Sequence, residues 1–296
     1  RAARREPILS APRARARRFP SSLWLVCDRS SHLLPTWTDQ DRLEQRLSKL
    51  IPGAALCTWT FTRGPRSATL EQIKGSLKRP PPGAPLLVLS DLGAYGTPGS
   101  QREWSEFLQH QRVAGHAFHA LAPVPRRRWP AAVTRLGRVE PWDRTRADCG
   151  PRTSEARAKA ADALLRSLAW LTFVEPGLLR AVRLTFSANE CDVGTEIDTW
   201  SRFRDGHVEG ATLDPESRAV LLDQKLIEPD RARREHLARA FQLIRRWRQA
   251  YAGLISTEER MVWGCTVDGA LAEASGVDVS AEVAAMKRMI VDLERA

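Results

Sequence analysis

Leu23, Trp24, Leu25, Val26 and Cys27 form an unbroken apolar run of strand length, which gives way at once to Asp28, Arg29, Ser30 and Ser31. A strand with one wet face alternates apolar and polar residues. A run without alternation belongs to a strand covered on both faces, as in a parallel sheet flanked by helices. In such sheets ligands bind outside the carboxyl ends of the strands. The run therefore predicts an α/β fold and makes the loop after Cys27 the first place to look for function.

The same kind of signal recurs along the chain. Leu56 to Thr62 alternates Cys57, Trp59 and Phe61 with threonines as a second strand, and Leu86 to Leu89 is a third buried run, ending in Ser90 and Asp91. His116 to Leu121 and Arg135 to Val139 are the fourth and fifth candidates. Between them lie helical patterns: Thr38 to Leu50 with Thr38 or Asp39 as cap, Thr69 to Leu77, and Ser100 to Ala114 after a Gly-rich loop, Gly93 to Gly99. This order predicts a Rossmann-like, mostly parallel sheet over residues 20–145, with Glu140 to Pro151 as linker.

From Thr153 the pattern turns helical, predicting an all-α domain over residues 153–296. Helices are expected over Ala156 to Phe173, Gly177 to Phe186, from Asp214 and Pro215, and over Arg231 to Ile255, with two more from Thr257 and from Ser280. Glu190 to Thr212 is less regular. Residues 1–19, with seven arginines in the first eighteen positions, read as a basic flexible arm.

Composition narrows the classes of function. The chain of 296 residues carries 46 Lys and Arg against 35 Asp and Glu, a formal net charge of +11, which admits an acidic partner such as nucleic acid. No apolar run approaches the length of a membrane span. The charged start RAARREP lacks the apolar core of a signal peptide, and Arg1 in place of Met predicts a piece of a longer protein. Cys27, Cys57, Cys149, Cys191 and Cys265 are scattered without metal-site spacing, which fits reduced thiols and a cytoplasmic location. Neither a G-x-x-x-x-G-K-[ST] nor a G-x-G-x-x-G loop is present, which argues against nucleotide hydrolysis.

Asp28, Ser30 and Asp91 are the chief candidates for chemistry. Both aspartates follow predicted parallel strands and so project from one edge, and two carboxylates with a hydroxyl are hard oxygen ligands of the kind Mg²⁺ accepts. Capping of the next turns is the plainer role for the same residues. Glu190, Asp192, Glu196 and Asp198 form an acidic stretch suited to solvation or to docking on a basic surface of the same chain. The arginines of the long helix, with Arg234, Arg245 and Arg248, and the triplet Arg126, Arg127, Arg128 are candidate phosphate contacts.

LVCDRSSH, followed about sixty residues later by LLVLSDLG, resembles a von Willebrand factor A domain. The resemblance implies a metal-ion-dependent adhesion site: Asp28 and Ser30 match the first two positions of its DxSxS motif and Asp91 its later aspartate, whereas His32 stands at the third position in place of serine. The threonine of that site has no clear match; Thr62 and Thr69 are nearby. LVLSDLGAYG, the helix with EWSEFL and the element Val124 to Trp129 are similar to degenerate A-like domains of bacterial conflict and defence proteins. That resemblance implies partners: a MoxR-type AAA+ ATPase, or an effector, fused or separate. It implies a non-enzymatic adaptor whose edge, with Asp28, Ser30, Ser31, His32, Asp91 and Tyr95, holds a protein, and whose Mg²⁺ site is degenerate. Three other readings stay open: a nucleic-acid-binding subunit using the Arg-rich arm and the long helix, the regulatory N-terminal part of a longer effector protein, and a metal-dependent hydrolase.

Overall fold

Burial on both faces is what the first strand, β1 (Leu23–Asp28), achieves: all six of its residues are buried. Leu23, Leu25 and Cys27 point to one side and pack with Leu47 and Ile51, while Trp24 and Val26 point to the other and pack with Trp104 and Leu108. The computed structural model describes residues 20–51, 55–65, 80–97, 99–143, 150–151, 153–223 and 231–250, with Glu259, Val262, Trp263, Ser280, Ala284 and Arg288. The arm over 1–19, the helix over 69–77, Thr69, Cys149, Cys265 and most of the two final helices lie outside the described residues.

After β1 a single 3-10 turn (Ser31–Leu33) feeds α1 (Leu34–Leu50), followed by β2 (Leu56–Phe61), β3 (Leu86–Leu89), α2 (Ser100–Val113), β4 (Phe118–Ala122), α3 (Ala131–Leu136) and β5 (Arg138–Pro141). The five strands form one all-parallel sheet in the order β2-β1-β3-β4-β5, with Val26 beside Trp59 on one side and Val88 on the other. The order reverses between β1 and β3. In open α/β sheets that reversal opens a crevice at the carboxyl edge, and Asp28 and Asp91 stand there.

The second half comprises α4 (Ser154–Arg166), α5 (Pro176–Arg183), α6 (Val193–Trp200), a hairpin of β6 (Phe203–Arg204) and β7 (Thr212–Leu213), α7 (Pro215–Asp223) and α8 (Arg231–Trp247). Leu164, Leu168, Leu179, Val182, Phe241 and Ile244 fill its core, and Phe241 stacks on Trp263 with ring centroids 4.3 Å apart. The halves interlock. Leu34 and Trp37 of α1 belong to the helical core, and Ile197 of α6 belongs to the sheet core.

Several expectations are corrected. The helix expected from Thr38 begins at Leu34, because the 3-10 turn runs straight into it and Pro35 is at home in a first turn, so neither Thr38 nor Asp39 caps it. The helix expected to reach Phe173 stops at Arg166 and is followed by turns, with Trp170 Nε1 donating to Ser167 O. The fourth strand starts two residues late because His116 is tied at 2.9 Å to Ala84 O, and α3 takes residues assigned to the fifth strand, which instead runs into the expected linker. The second half is not purely helical. The irregular region contains α6, whose Asp192 and Thr195 form a reciprocal capping box, and the β6–β7 hairpin. The helix expected over Arg231 to Ile255 runs to Trp247 and passes into a 3-10 turn over Arg248–Ala250, and residues 251–255 lie outside the described residues. Among the described residues no helix is long and apolar enough to cross a membrane.

Candidate functional site at the carboxyl edge of the sheet

The site grows from two strand ends. Asp28 closes β1 with its side chain turned back under the loop: Oδ1 accepts from Ser30 N at 3.0 Å and Ser30 Oγ at 2.6 Å, and Oδ2 accepts from Ser90 Oγ at 2.6 Å. Gln40 Nε2, nearly two turns into α1, donates to the Asp28 carbonyl at 3.0 Å and fixes the strand exit. Asp91 follows β3. Its Oδ1 accepts from Gly93 N at 3.0 Å, and its Oδ2 accepts from Tyr95 N at 2.6 Å and meets His32 Nε2 at 3.2 Å.

The loop that aims Asp91 is strained. Leu92 has φ of 58° yet is fully buried, a backbone region that disfavours leucine by about 1–3 kcal/mol. Gly93 then passes so close to α2 that a Cβ would lie 2.6 Å from the backbone of Ser100 and Gln101. Strain held in place by packing is common where geometry serves a ligand.

Electrostatically the edge joins like charges. Asp28 and Asp91 are each 1% exposed. Burial, then the negative charge of Asp91, push the Asp28 carboxyl up to about 6, against hydrogen bonds from Ser30 and Ser90 that pull it down. For His32 burial acts to lower the pKa, but the hydrogen bond to Asp91 and the charges of Asp91 and Asp28 outweigh it, and the net shift is upward.

These groups floor a cleft of about 350 Å³. Asp28, Ser30, Ser31, His32 and Asp91 all line it, so five expected site residues, separated by up to 63 positions, share one cavity. Thr62, Arg63, Thr97 and Ser100 also line it. Sequence reasoning passed over Thr97, Ser100, Ser90 and Gln40; Ser90 could have been found, since it precedes Asp91 as a polar residue at the same strand end.

Tyr95 is the exception among the expected contacts. Its hydroxyl donates to Gly194 O at 3.0 Å and its ring carries the Arg128 guanidinium 4.2 Å from the centroid, so α6 of the same chain occupies it. The acidic stretch docks on the chain's own arginines: Asp192 pairs with Arg127 at 2.6 Å, and Asp198 lies 3.8 Å from Arg128. Arg248 is also spoken for, buried between Glu175 at 2.6 Å and Glu259 at 3.0 Å. These three arginines are therefore structural, since each answers a buried or half-buried carboxylate. Arg126 and Arg245 remain exposed, and Arg234 lies in α8 with its side chain outside the described residues.

Both lone-pair positions of Asp28 Oδ1 and of Asp91 Oδ2 are engaged by protein groups, Asp28 Oδ2 and Asp91 Oδ1 each accept one bond, and the His32 imidazole stands where the DxSxS motif has its second serine. Among the described residues no group of three or more His, Cys, Asp and Glu side chains is placed to hold a metal ion. What the arrangement can do is present a shaped polar cleft with a pre-bonded floor. Comparison with known proteins found no family model, no curated protein and no solved structure that matches the chain.

Proposed function

We propose that this chain is a non-enzymatic protein-interaction subunit that holds a partner at the carboxyl edge of its sheet. The observation that carries the reading is the cleft itself. It opens at the reversal of strand order, and its floor carboxylates are engaged by the chain's own donors, so Ser31, His32, Arg63, Thr97 and Ser100 are the polar groups that a partner would meet. Asp28 and Asp91 each engage three groups of the chain itself, and these bonds hold the two loops in shape beneath the cleft. The resemblance to degenerate A-like domains supports the same role and suggests the class of partner, an AAA+ ATPase or an effector chain of a bacterial defence system. A nucleic-acid-binding role has less support, because Arg127, Arg128 and Arg248 answer internal carboxylates.

Alanine at both Asp28 and Asp91 tests the proposal in a pull-down with tagged protein from cells that express the whole system. Loss of the partner band, with the fold intact by circular dichroism, is the expected outcome. Unchanged capture would sink the edge as the interface.

A further inference from the structure

Away from the sheet edge, a cavity of about 890 Å³ opens in the helical half between α4, the α5–α6 connection and α8. Its charge is one-sided. Lys159, Arg166 and Arg239 line it, and Glu190 is the one acidic side chain in the lining; its Oε2 is taken by Ser187, through N at 3.0 Å and Oγ at 2.7 Å. Lys159 shares its ammonium with Glu155 in an exposed pair, which is readily exchanged. Arg239 is exposed and has no ion-pair partner among the described residues. The inner wall is apolar: Ala156, Ala160 and Ala163 of α4 face Phe186, whose ring packs 3.8 Å from that of the buried His236.

We propose that this cavity binds an organic phosphate of nucleotide size, a role independent of partner docking at the sheet edge. The volume lies in the range of small-molecule sites, which pair an apolar body with a few convergent polar groups. Guanidinium forks and an ammonium at the rim match phosphate oxygens, and the alanine and Phe186 wall suits an uncharged ring or sugar. A small ligand is favoured over a nucleic-acid strand because the cations converge on a concavity. Arg245 and Arg246, exposed on α8, do not line it.

Isothermal titration of the full chain with ATP as probe tests this, beside adenosine and unphosphorylated dT10 as comparisons. Micromolar binding of ATP is expected, with adenosine weaker by about tenfold or more. Arg239→Glu and Lys159→Glu, both at exposed positions and checked for an unchanged melting curve, should each weaken ATP by about tenfold. No binding at about 1 mM ATP would overturn the proposal. So would equal affinity for adenosine, a constant unchanged in both variants, or tighter binding of dT10 than of ATP.

Discussion

Two buried charge clusters lie close in this fold and are built on opposite rules. At the junction of the halves, Arg183 Nε meets Glu196 Oε1 at 2.5 Å, and Arg180 reaches Glu196 at 3.3 Å, Asp39 and the carbonyl of Pro35 at 3.1 Å. Each charge there has an opposite neighbour, and residues from α1, α5 and α6 are drawn together. At the sheet edge two carboxylates face each other, and His32 on Asp91 is the modest counterweight. Opposite charges sealed from solvent hold elements in register. Like charges gathered under an open cleft raise free energy in the folded state, and they persist where a site needs them. The contrast separates a structural weld from a site although both are buried and polar.

The comparison breaks most visibly at the weld. Arg183→Leu leaves the fully buried Glu196 carboxylate with only its longer contacts to Arg180, and should destabilise the chain by about 3 kcal/mol in urea unfolding. Sheet and helical half should lose structure together, because they share core residues; separate transitions would mean that the junction is not a weld.

At the edge the sign reverses: removing a charge should help. The folded Asp28 carboxyl binds its proton more tightly than the ordinary value of 3.8 allows, so its contribution falls as pH rises from about 4 to about 6 and stays low above that. The two units between those values correspond to about 3 kcal/mol as an upper figure. His32, raised above 6.5, acts in the same direction: its contribution is present below 6.5 and fades as pH climbs through its folded value. Unfolding free energies of wild type and Asp28→Asn, compared from pH 4 to 8, should diverge between pH 4 and 6 in favour of the variant. Parallel curves would show that the edge does not penalise the Asp28 charge, through burial or through Asp91.

A smaller effect sharpens the boundary between weld and site. Tyr95→Phe removes the hydroxyl bond to Gly194 O that ties the Asp91 loop to α6, and should cost about 1 kcal/mol by thermal denaturation without altering partner capture. Loss of capture at unchanged stability would return Tyr95 to the docking surface.

How much of this was legible in the sequence depended on the range of the forces involved. β1 and β3 announced themselves because burial on both faces leaves an apolar run, and the polar residue ending each run marked the edge. α6 was hidden for a related reason: nearly every residue is buried between the halves, including Gly194, Thr195, Glu196 and Thr199, so no wet face gives it a period. Its capping box, Asp192 with Thr195, was the available signal. The weld could not be read at all, since Arg180 meets Pro35 and Asp39 across more than 140 positions, and only the fold chooses such partners. The same holds for Arg248, which looked like a surface cation on an amphipathic helix and is buried against Glu175 and Glu259.

The central claim is that the cleft over Asp28 and Asp91 meets a partner, while the opposite end of α1 does not. A photoreactive benzoylphenylalanine placed at Ser31, on the cleft, and in a separate protein at Ser48, in the last turn of α1, tests this in cells that express the system. The account predicts a discrete cross-linked species from Ser31 that disappears in the Asp91→Asn background, and none from Ser48. Cross-linking from Ser48 alone, or a Ser31 adduct indifferent to Asp91, would contradict it.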